Sequence, residues 1–276
     1  MPSPTGRVLV IAGSDSGGGA GIQADIKAVM ALGGFATTAI TALTAQNTRG
    51  VASVLPVPRE FLAAQIDAVL SDIGADAIKT GMLPDTASIE TVAAMLDGAA
   101  RRLPFVMDPV MVATSGDRLQ GAEALSALRS LLLPRATLIT PNIPEAELLL
   151  GRPIADEAAQ RAAAIDLLAT GAQAVLVKGG HLPGEQVIDL LATAAGIIAI
   201  RGPRIDSTST HGTGCTLASA IAAGLAQGMA LEAAIRRARA YVAEAIRAAP
   251  GLGQGHGPLG HGVTVDPARI AALLLP

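Results

Sequence analysis

The strongest chemical signal in this chain lies in one segment, Thr210-His211-Gly212-Thr213-Gly214-Cys215-Thr216, directly before an alanine-rich helical pattern. A Gly-x-Gly turn at the start of a helix points several backbone N–H groups in one direction, and the helix dipole adds to their positive potential. Such a turn binds a phosphate group or a phosphoryl-transfer transition state. The same glycines are also explained by a tight turn that lets the helix pack closely against its neighbours.

The chain has one cysteine, Cys215, at the start of this predicted helix. A helix N-terminus lowers the pKa of a thiol, which predicts a reactive group. A buried small apolar residue is the alternative interpretation. Because one cysteine cannot form an intrachain disulfide, a disulfide-stapled extracellular scaffold is excluded.

A carboxamide and a carboxylate, Asn142 and Glu145, stand three residues apart at a predicted strand-to-helix junction. On a first helical turn they project to the same side, where a few carboxylates can hold Mg²⁺ together with waters and substrate phosphates. Helix capping explains the same pair, since Asn caps helices and Glu favours their positive end. Lys178 ends a Val/Leu strand before two glycines, and is either a phosphate-neutralising cation or an ordinary surface lysine.

A glycine-rich segment, Gly13–Gly21, follows one predicted strand and precedes one predicted helix. A flexible linker has this composition but rarely this place in a compact domain, whereas glycines let a backbone approach a ligand closely. Asp25 lies one helical turn further on and is predicted to face the same pocket. Gln46 and Asn47 supply amide groups suited to the edge of a heteroaromatic ring. Met111–Leu119 has the glycine content of a mobile flap that excludes water from a transferring phosphoryl group.

Two kinds of element alternate along the chain and must position these residues. Short apolar runs predict the strands of a buried sheet at Val8–Ala12, Thr37–Leu43, Ala77–Thr80, Phe105–Asp108, Leu138–Thr140 and Ala174–Lys178. Helical periodicity predicts helices at Gly21–Leu32, Arg59–Ile73, Thr86–Arg101, Glu123–Leu132, Glu157–Thr170, Thr213–Gln227 and Leu231–Ala249. An antiparallel hairpin at the sheet edge is predicted for Gln186–Arg201.

This alternation predicts a mainly parallel sheet covered by helices on both faces, within one domain that spans residues 1–276. Ligands of such sheets bind beyond the carboxyl ends of the strands. The residues directly after the predicted strands are polar, and they are Gly13-Ser14-Asp15, Thr44–Asn47, Asp108-Pro109, Pro141-Asn142 and Lys178–His181. The sequence therefore predicts a ligand site at this edge.

Composition excludes several classes of protein. Half of the 276 residues are apolar, which excludes intrinsic disorder. A formal net charge of −3 and an aromatic content of 1% predict no nucleic-acid partner. Two uncharged stretches, Ala28–Thr48 and Gly212–Leu231, are long enough for a bilayer but rich in glycine, alanine or polar residues. Because the chain also begins without a signal-peptide pattern, we expect a cytoplasmic protein without a membrane partner.

Familiar nucleotide and metal motifs are missing from the sequence. Neither G-x-x-x-x-G-K-[ST] nor H-E-x-x-H occurs, and paired cysteines are absent, which predicts neither a P-loop nor a zinc site. One formal G-x-G-x-x-G, Gly255–Gly260, contains Pro258 and precedes no predicted helix. It therefore does not indicate the dinucleotide-binding site of a dehydrogenase.

Seven segments together resemble the bacterial hydroxymethylpyrimidine/phosphomethylpyrimidine kinases, a ribokinase-like family of thiamine synthesis. They run in family order over nearly the whole chain: Ala12–Lys27 (AGSDSGGGAGIQADIK), Ile40–Val51 (ITALTAQNTRGV), Lys79–Leu83 (KTGML), Asp108–Leu119 (DPVMVATSGDRL), Ile139–Leu149 (ITPNIPEAELL), Val177–Leu182 (VKGGHL) and Thr210–Thr216 (THGTGCT). The resemblance implies a ribokinase-like three-layer α/β/α sandwich with a mainly parallel central sheet and an antiparallel edge hairpin.

The resemblance also implies an activity. A phosphoryl group would pass from ATP, with Mg²⁺, to the hydroxymethyl oxygen of 4-amino-5-hydroxymethyl-2-methylpyrimidine, and a second transfer would convert the monophosphate to the diphosphate. Little covalent work is demanded of the protein in such a transfer, so positioning and charge stabilisation dominate. The family further implies a homodimer, and symmetric dimers are the commonest soluble assembly.

Individual roles follow from the matching positions. Gln46 matches the residue that reads the pyrimidine edge, and Asp25 matches a carboxylate near the hydroxymethyl group. The positions that match pocket walls are Gly13, Ala20, Met82 and Val110. The positions that match the catalytic anion hole are Gly212, Thr213, Gly214 and Cys215. The positions that match metal contacts are Asp108 and Glu145, and those that match nucleotide and phosphate contacts are Asn142, Lys178, Thr210 and His211. Cys215 stands where most ribokinase relatives have an aspartate base, and we expect it to assist proton removal without being indispensable.

One segment departs from the family pattern. Many members have a basic residue just before the Thr210–Thr216 segment, whereas this chain has Asp206-Ser207-Thr208-Ser209, so one nucleotide-phosphate contact is expected to be missing.

Two alternative functions remain open. A pyridoxal or pyridoxine kinase of the same fold would act on a similar heteroaromatic alcohol. A non-catalytic pyrimidine-binding protein would predict decay of the phosphate-handling segments, which are all present here.

Overall fold

The computed structural model describes residues 5–111 and 121–266. Its strands are β1 (Arg7–Asp15), β2 (Phe35–Asn47), β3 (Gly50–Pro56), β4 (Ala77–Thr80), β5 (Phe105–Met107), β6 (Leu138–Ile139), β7 (Ala174–Val177), β8 (Gln186–Thr193) and β9 (Gly196–Pro203). Within the described residues they form one sheet in the order β3-β2-β1-β4-β5-β6-β7-β8-β9. The six neighbouring strands β2-β1-β4-β5-β6-β7 run parallel to one another. Strand β3 at one edge of the sheet and the β8–β9 hairpin at the other edge are antiparallel.

Helices cover both faces of this sheet. They are α1 (Gly21–Ala31), α2 (Arg59–Ser71), α3 (Thr86–Asp97), α4 (Ala122–Ala127), α5 (Ile143–Leu150), α6 (Glu157–Leu168), α7 (Thr213–Ala226) and α8 (Leu231–Arg247). One core joins the sheet to α2 through α6, and a second joins the opposite face to α1, α7 and α8. The predicted three-layer α/β/α sandwich with an antiparallel edge hairpin is therefore confirmed.

Strand β1 shows why the sequences of the central strands are continuous apolar runs. Leu9 and Ile11 pack into one core, while Val8, Val10 and Ala12 pack into the other. Successive side chains of a strand point to opposite faces, and both faces here are covered, so every position must be apolar. In the described part of the chain, no helix is long and apolar enough to cross a membrane.

Three elements differ from the periodicity in the sequence. Strand β3 is not predicted, because five of its seven residues are exposed and no buried face imposes an alternating pattern. Helix α5 is short and its apolar run lacks clear periodicity. The predicted helix Glu123–Leu132 is divided, since α4 continues as a π-helical turn over Leu128–Leu132. The predicted flap, Met111–Leu119, lies outside the described residues apart from Met111.

A short 3₁₀ turn, His261–Thr264, ties the two C-terminal helices together. The buried His261 has its Nε2 2.9 Å from the hydroxyl oxygen of Thr216 in α7, and the Tyr241 hydroxyl of α8 donates to the His261 carbonyl at 2.9 Å. Burial lowers the pKa of His261 from 6.5 to about 4, with the positive charge of Lys27 adding to the effect. The folded protein therefore holds this ring neutral.

We expect His261 to make the fold sensitive to acid. Between pH 6.5 and 4 the unfolded chain binds a proton at this ring that the folded chain does not, so stability falls as pH falls, by up to ~3 kcal/mol. Urea unfolding of the wild type and of His261→Gln at pH 7, 5.5 and 4.5 measures the effect. The wild type should lose more stability over this range, and parallel profiles would contradict the assignment.

Candidate active site

The carboxyl ends of the parallel strands open into one cavity of about 920 Å³. Such a volume, near the upper end for small-molecule sites, accommodates a substrate beside a nucleotide. The predicted site residues that line it are Gly13, Ala20, Gln46, Met82, Asp108, Val110, Asn142, Glu145, Lys178, Thr210, His211, Gly212, Thr213, Gly214 and Cys215. Two predicted residues, Asp25 and Asn47, do not line it.

The Gly212–Cys215 turn forms the start of α7. Gly212 has a φ of +81° and no side chain that could accept the first N–H groups of the helix. In contrast, Asp85, Asn142 and Asp156 cap their helices with side-chain oxygens. The Thr213 N–H donates to the Thr210 carbonyl at 3.4 Å, so the uncapped turn leaves the N–H groups of Gly214 and Cys215 to a ligand in the cavity.

A cation adjoins this turn. A Cβ on Gly214 would lie 3.1 Å from Nζ of Lys178 and 3.5 Å from Oδ2 of Asp108. Lys178 in turn lies 3.0 Å from Oδ1 of Asp108 and 3.9 Å from Oε2 of Glu145. The N–H groups of the turn and the ammonium group thus converge on one region, where both would stabilise a transferring phosphoryl group.

Burial and neighbouring charges act in opposite directions on the ionisable groups of this region. Burial raises the pKa of Glu145 to about 7, although the charge of Lys178 opposes the shift. Burial alone would lower the pKa of Lys178, but Asp108 and Glu145 raise it above its ordinary value. Lys178 is therefore a fixed positive charge, which corrects the surface-lysine interpretation.

Asn142 and Glu145 form a complete capping box for α5. The Asn142 side chain accepts from the Glu145 N–H at 2.9 Å, and the Glu145 carboxylate accepts from the Asn142 N–H at 2.7 Å. Both residues also line the cavity. Capping and a place in the site are therefore compatible, because the cap leaves the NH₂ group of Asn142 and the second carboxylate oxygen of Glu145 unused.

Whether these residues suit Mg²⁺ can be tested on their chemistry. In the described ranges, no three His, Cys, Asp or Glu side chains cluster closely enough to hold a metal. The carboxylate oxygens of Asp108 and Glu145 nevertheless suit a hard cation, and Mg²⁺ commonly binds through one or two carboxylates, waters and substrate phosphates. The donor set fits a magnesium ion that arrives with a nucleotide, rather than one caged by protein.

At the other end of the cavity, Gln46 belongs to a polar network. Its amide lies 3.3 Å from Nε2 of His211 and 3.2 Å from the Thr44 hydroxyl. His211 Nε2 also lies 3.0 Å from the buried Asp15 carboxylate. The imidazole of His211, which we predicted to contact nucleotide, is thus turned toward the Gln46 side. Asp15 and Thr44 are among the polar residues predicted at this edge of the sheet, but neither was assigned an individual role from the sequence.

Asp25 requires a correction, because it faces the core and not the cavity. Its carboxylate is fully buried and accepts two hydrogen bonds from the equally buried Lys79, at 2.8 and 2.9 Å. The Ser219 hydroxyl of α7 donates to it at 2.6 Å. Helical spacing alone could not reveal Lys79, 54 residues away, which draws the carboxylate inward.

The thiol of Cys215 also differs from expectation. Burial raises the pKa of this thiol to about 12. The positive charge of Lys79 lowers it, and the carboxylates of Asp25 and Asp108 offset part of that lowering. Desolvation therefore exceeds the lowering that the helix N-terminus alone predicts. A thiol with this pKa is protonated near pH 7, which argues against the predicted role in proton removal.

We expect Cys215→Ser and Cys215→Ala to keep turnover within about tenfold of the wild type, since a general base contributes about 10²–10⁴-fold. Alkylation by iodoacetamide should also be slower at pH 8 than for a free thiol, and should accelerate as pH rises toward 12. Steady-state turnover and mass spectrometry of the alkylated protein measure the two effects. A loss above 100-fold in Cys215→Ala would restore the base role.

The part of the cavity beside the β8–β9 hairpin is lined by several arginines. They are relevant because the family's basic residue before Thr210 is missing in this chain. Arg204 lies at this end and donates to the carbonyls of Gly180 and Gly184 at 2.8 and 2.7 Å. Arg239 is paired with Asp189 at 2.7 Å. Arg236 and Arg247 also line this end. Arg236 and Arg247 pair with Glu232 and Glu244, so within the described residues Arg204, bonded to carbonyls, is the arginine here without a carboxylate partner.

A three-layer α/β/α fold whose single cavity holds an uncapped glycine turn, the half-buried Lys178 and the Gln46 amide is typical of a small-molecule kinase. The phosphomethylpyrimidine kinase family model matches residues 15–260, and the chain belongs to this family.

Individual relatives agree. The thiamine biosynthesis bifunctional protein ThiED of Geobacter sulfurreducens is 52% identical over 268 residues, which are 97% of this chain but 54% of that protein. The hydroxymethylpyrimidine/phosphomethylpyrimidine kinase of Rhizobium meliloti is 51% identical over 261 residues, 93% of this chain and 97% of that one. An ADP complex of Bacillus subtilis pyridoxal kinase is similar in structure, with a TM-score of 0.88, 36% identity, and coverage of 95% of this chain and all of that one.

Proposed function

We propose that this protein transfers phosphate from ATP to the hydroxymethyl oxygen of 4-amino-5-hydroxymethyl-2-methylpyrimidine, and then to the resulting monophosphate to give the diphosphate. One observation carries the proposal. The Gln46 amide and the Gly212–Cys215 turn open into the same cavity, with Lys178 beside Gly214. The cavity therefore offers a site for the ring and a separate positive site for the transferred group.

Each part of the site has a physical role in this reaction. Gln46 would bind the ring edge through one donor and one acceptor. The N–H groups of the Gly212–Cys215 turn and Lys178 would stabilise charge on the transferring phosphoryl oxygens. Asp108 and Glu145 would hold Mg²⁺, which neutralises nucleotide phosphates when bound. A loose transition state needs little help from a base, which agrees with a protonated Cys215.

ATP is supported by the ADP complex of the similar Bacillus subtilis protein. The arginine-rich end of the cavity, around Arg204 and Arg239, is where we place the nucleotide. An ATP-dependent enzyme of this kind would work in the cytoplasm, where its nucleotide is found.

Pyridoxal or pyridoxine is the second candidate substrate, because a structural relative is named pyridoxal kinase. The Gln46 amide favours an aminopyrimidine, whose N3 and 4-amino group present one acceptor and one donor on the same edge. In pyridoxal the ring nitrogen is flanked by a methyl-bearing carbon and a C–H, so no donor stands beside it.

Substrate-dependent release of ADP from Mg-ATP tests the proposal. The purified protein should release ADP with the pyrimidine alcohol, and its kcat/KM for this substrate should exceed that for pyridoxal on the same preparation. Product identity by mass spectrometry distinguishes monophosphate from diphosphate. No release with either alcohol would overturn the proposal, and a higher kcat/KM for pyridoxal would establish the second candidate.

We also propose a homodimer. Among the described residues, edge strand β3 and its neighbour β2 expose Leu43, Val54 and Leu55 to solvent. An edge strand with exposed apolar side chains offers a surface for pairing between two copies. Light scattering after size exclusion should give twice the 27.5 kDa chain mass, and a mass unchanged from the monomer would exclude the assembly.

A further inference from the structure

A glycine-rich loop follows the last long helix and carries a sequence motif that the proposed function does not use. The loop spans Gly251–Gly260 and contains the formal G-x-G-x-x-G at Gly255, Gly257 and Gly260. The described residues that line the cavity include none from this loop. The loop therefore does not contact a ligand in the cavity, and its glycines serve another purpose.

The motif glycines are required by close approaches to other segments of the chain. A Cβ on Gly255 would lie 2.0 Å from the carbonyl oxygen of Thr48, in the turn between β2 and β3. A Cβ on Gly257 would lie 2.7 Å from the hydroxyl oxygen of Ser209, just before the start of α7. Gly260 packs in the same way against the end of α8. The loop thus bridges three elements that are far apart in the sequence.

The β2–β3 hairpin needs such support because its tip extends beyond the sheet. The pairing of β2 with β1 ends at Thr44, and β3 on the other side is an edge strand. The register of the β2–β3 pairing shifts between Ala45 and Gln46, as at a β-bulge that re-aims a side chain. The Ser16 hydroxyl holds the Gln46 backbone, donating to its carbonyl at 2.7 Å and accepting from its N–H at 2.8 Å. The place of Gln46 therefore depends on contacts made outside the sheet.

The loop holds the tip of this hairpin through Thr48, which follows Gln46 by two residues. The Thr48 carbonyl accepts from the His256 N–H at 2.9 Å. The Thr48 hydroxyl accepts from the N–H groups of Gln254 and Gly255, each at 3.2 Å. Three successive N–H groups of the loop thus converge on one residue of the turn.

The next residue of the loop, Gly257, reaches the anion-binding turn (Gly212–Cys215). Its carbonyl accepts from the His211 N–H at 3.1 Å, and Pro258 forms a β-bridge with His211, which directly precedes this turn. Because His256 and Gly257 are consecutive, one peptide link separates the contact to the hairpin from the contact to the anion-binding turn.

We propose that the Gly251–Gly260 loop is a positioning element that sets the distance between Gln46 and the anion-binding turn. This inference rests on the proposed function, in which the ring binds at one end of that span and the phosphoryl group is transferred at the other. Reacting atoms must be held about 3–3.5 Å apart for such a transfer. Gln46 and His211 meet directly at 3.3 Å through side chains, whereas the loop joins their backbones. Thr48 and Gly255 are therefore positioning residues that act through Gln46.

Gly255→Ala tests the inference. The added Cβ would force the loop and the hairpin tip apart by about 1 Å, and a displacement of this size costs up to about 10²-fold in rate. We expect kcat/KM for the pyrimidine alcohol, at saturating Mg-ATP, to fall about 10- to 100-fold. The KM for Mg-ATP should stay unchanged, because we place the nucleotide beside the β8–β9 hairpin, at the opposite edge of the sheet from β2 and β3.

Gly262→Ala is the matched control, since Gly262, like Gly255, has no positive φ, and no atom lies within 4 Å of its added Cβ. It should keep wild-type kinetics. A Gly255→Ala protein that melts like the wild type and keeps its kcat/KM would overturn the inference. An equal loss of affinity for Mg-ATP would also overturn it, because that result indicates general loosening of the fold.

Thr48→Val and Thr48→Ser test the same contact without a collision. Valine removes the hydroxyl acceptor, and kcat/KM for the pyrimidine alcohol should fall roughly 2- to 10-fold, the scale of one net hydrogen bond. Serine keeps the hydroxyl and should restore the wild-type value. If Gly255→Ala does not fold, this pair decides, and equal kcat/KM values for the two Thr48 variants overturn the inference.

Hydrogen exchange of the substrate-free protein tests the coupling independently of the reaction. In Gly255→Ala, backbone amides should exchange faster both in the β2–β3 turn and in the Thr210–Thr216 segment, whereas Gly262→Ala should change neither. Mass spectrometry of peptic fragments measures both segments. Faster exchange in the β2–β3 turn alone would overturn the inference. If the wild type releases no ADP with any pyrimidine alcohol, the proposed function fails, and this measurement still decides whether the loop couples the two segments.

Discussion

Replacing Gly212 with alanine should reduce turnover by at least about 10²–10³-fold, the effect of losing an oxyanion-hole donor. Gly212 has a φ of +81°, which alanine adopts only with strain. More importantly, an added Cβ would lie 1.9 Å from the carbonyl oxygen of Gly19. A backbone atom cannot move aside as a flexible side chain can, so the turn must shift. Its N–H groups would then no longer point at the transferred phosphoryl group.

Gly228→Ala provides the matched control for this prediction. Gly228 has a φ of +80°, but no atom lies within 4 Å of an added Cβ. It therefore carries the same backbone strain without the collision. Steady-state kcat with saturating Mg-ATP, together with thermal melting, compares the two variants. Gly228→Ala should keep its turnover, and a Gly212→Ala protein with wild-type kcat would show that this turn does not handle the transferred group.

Lys79→Met should cost about 3–5 kcal/mol of the free energy of unfolding, the range for breaking a buried ion pair. Both Lys79 and Asp25 have fully buried side chains, and their charges lie 2.8 Å apart. Methionine fills a similar volume but leaves the Asp25 carboxylate without its counter-charge. The Ser219 hydroxyl remains as a partner, yet one hydroxyl cannot replace an ammonium group.

The double variant Lys79→Met/Asp25→Asn should recover part of this loss, because no unpaired charge then remains in the core. Arg59→Met is the control, since the Arg59–Glu90 pair has a similar 2.9 Å contact but about half-exposed side chains. Exposed pairs contribute about 0–1 kcal/mol. Equilibrium urea unfolding measures all three variants. If Lys79→Met costs no more than Arg59→Met, the buried pair does not stabilise the fold as we infer.

This buried pair also supports the site. Ser219 stands one helical turn after Cys215 on α7, so Asp25 and Lys79 connect α1 and β4 to the helix that carries the anion-binding turn. A loosened pair should therefore reduce turnover as well as stability. Activity measured at a temperature where Lys79→Met remains folded separates the two effects.

The sequence by itself determined the layers of the fold and most of the wall of the site. Strand β1 is apolar at every core position because both faces of a parallel sheet are covered, and that pattern is local. The polar residues after the strands converge because parallel strands end at one edge, so Lys178 and Asn142 could be placed together from their positions alone. Strand β3 could not be predicted, since an exposed edge strand requires no pattern of apolar residues.

The tertiary structure alone decided the charge states and orientations within the site. Asp25 faces the core because Lys79 is there, and Cys215 keeps its proton because burial exceeds the effect of the helix terminus. His211 meets Asp15 across 196 residues and Gln46 across 165 residues. Spacing along a chain predicts which side chains share a local face. Which distant group meets each of them, and how much water is excluded, depends on packing between elements, which no local pattern contains.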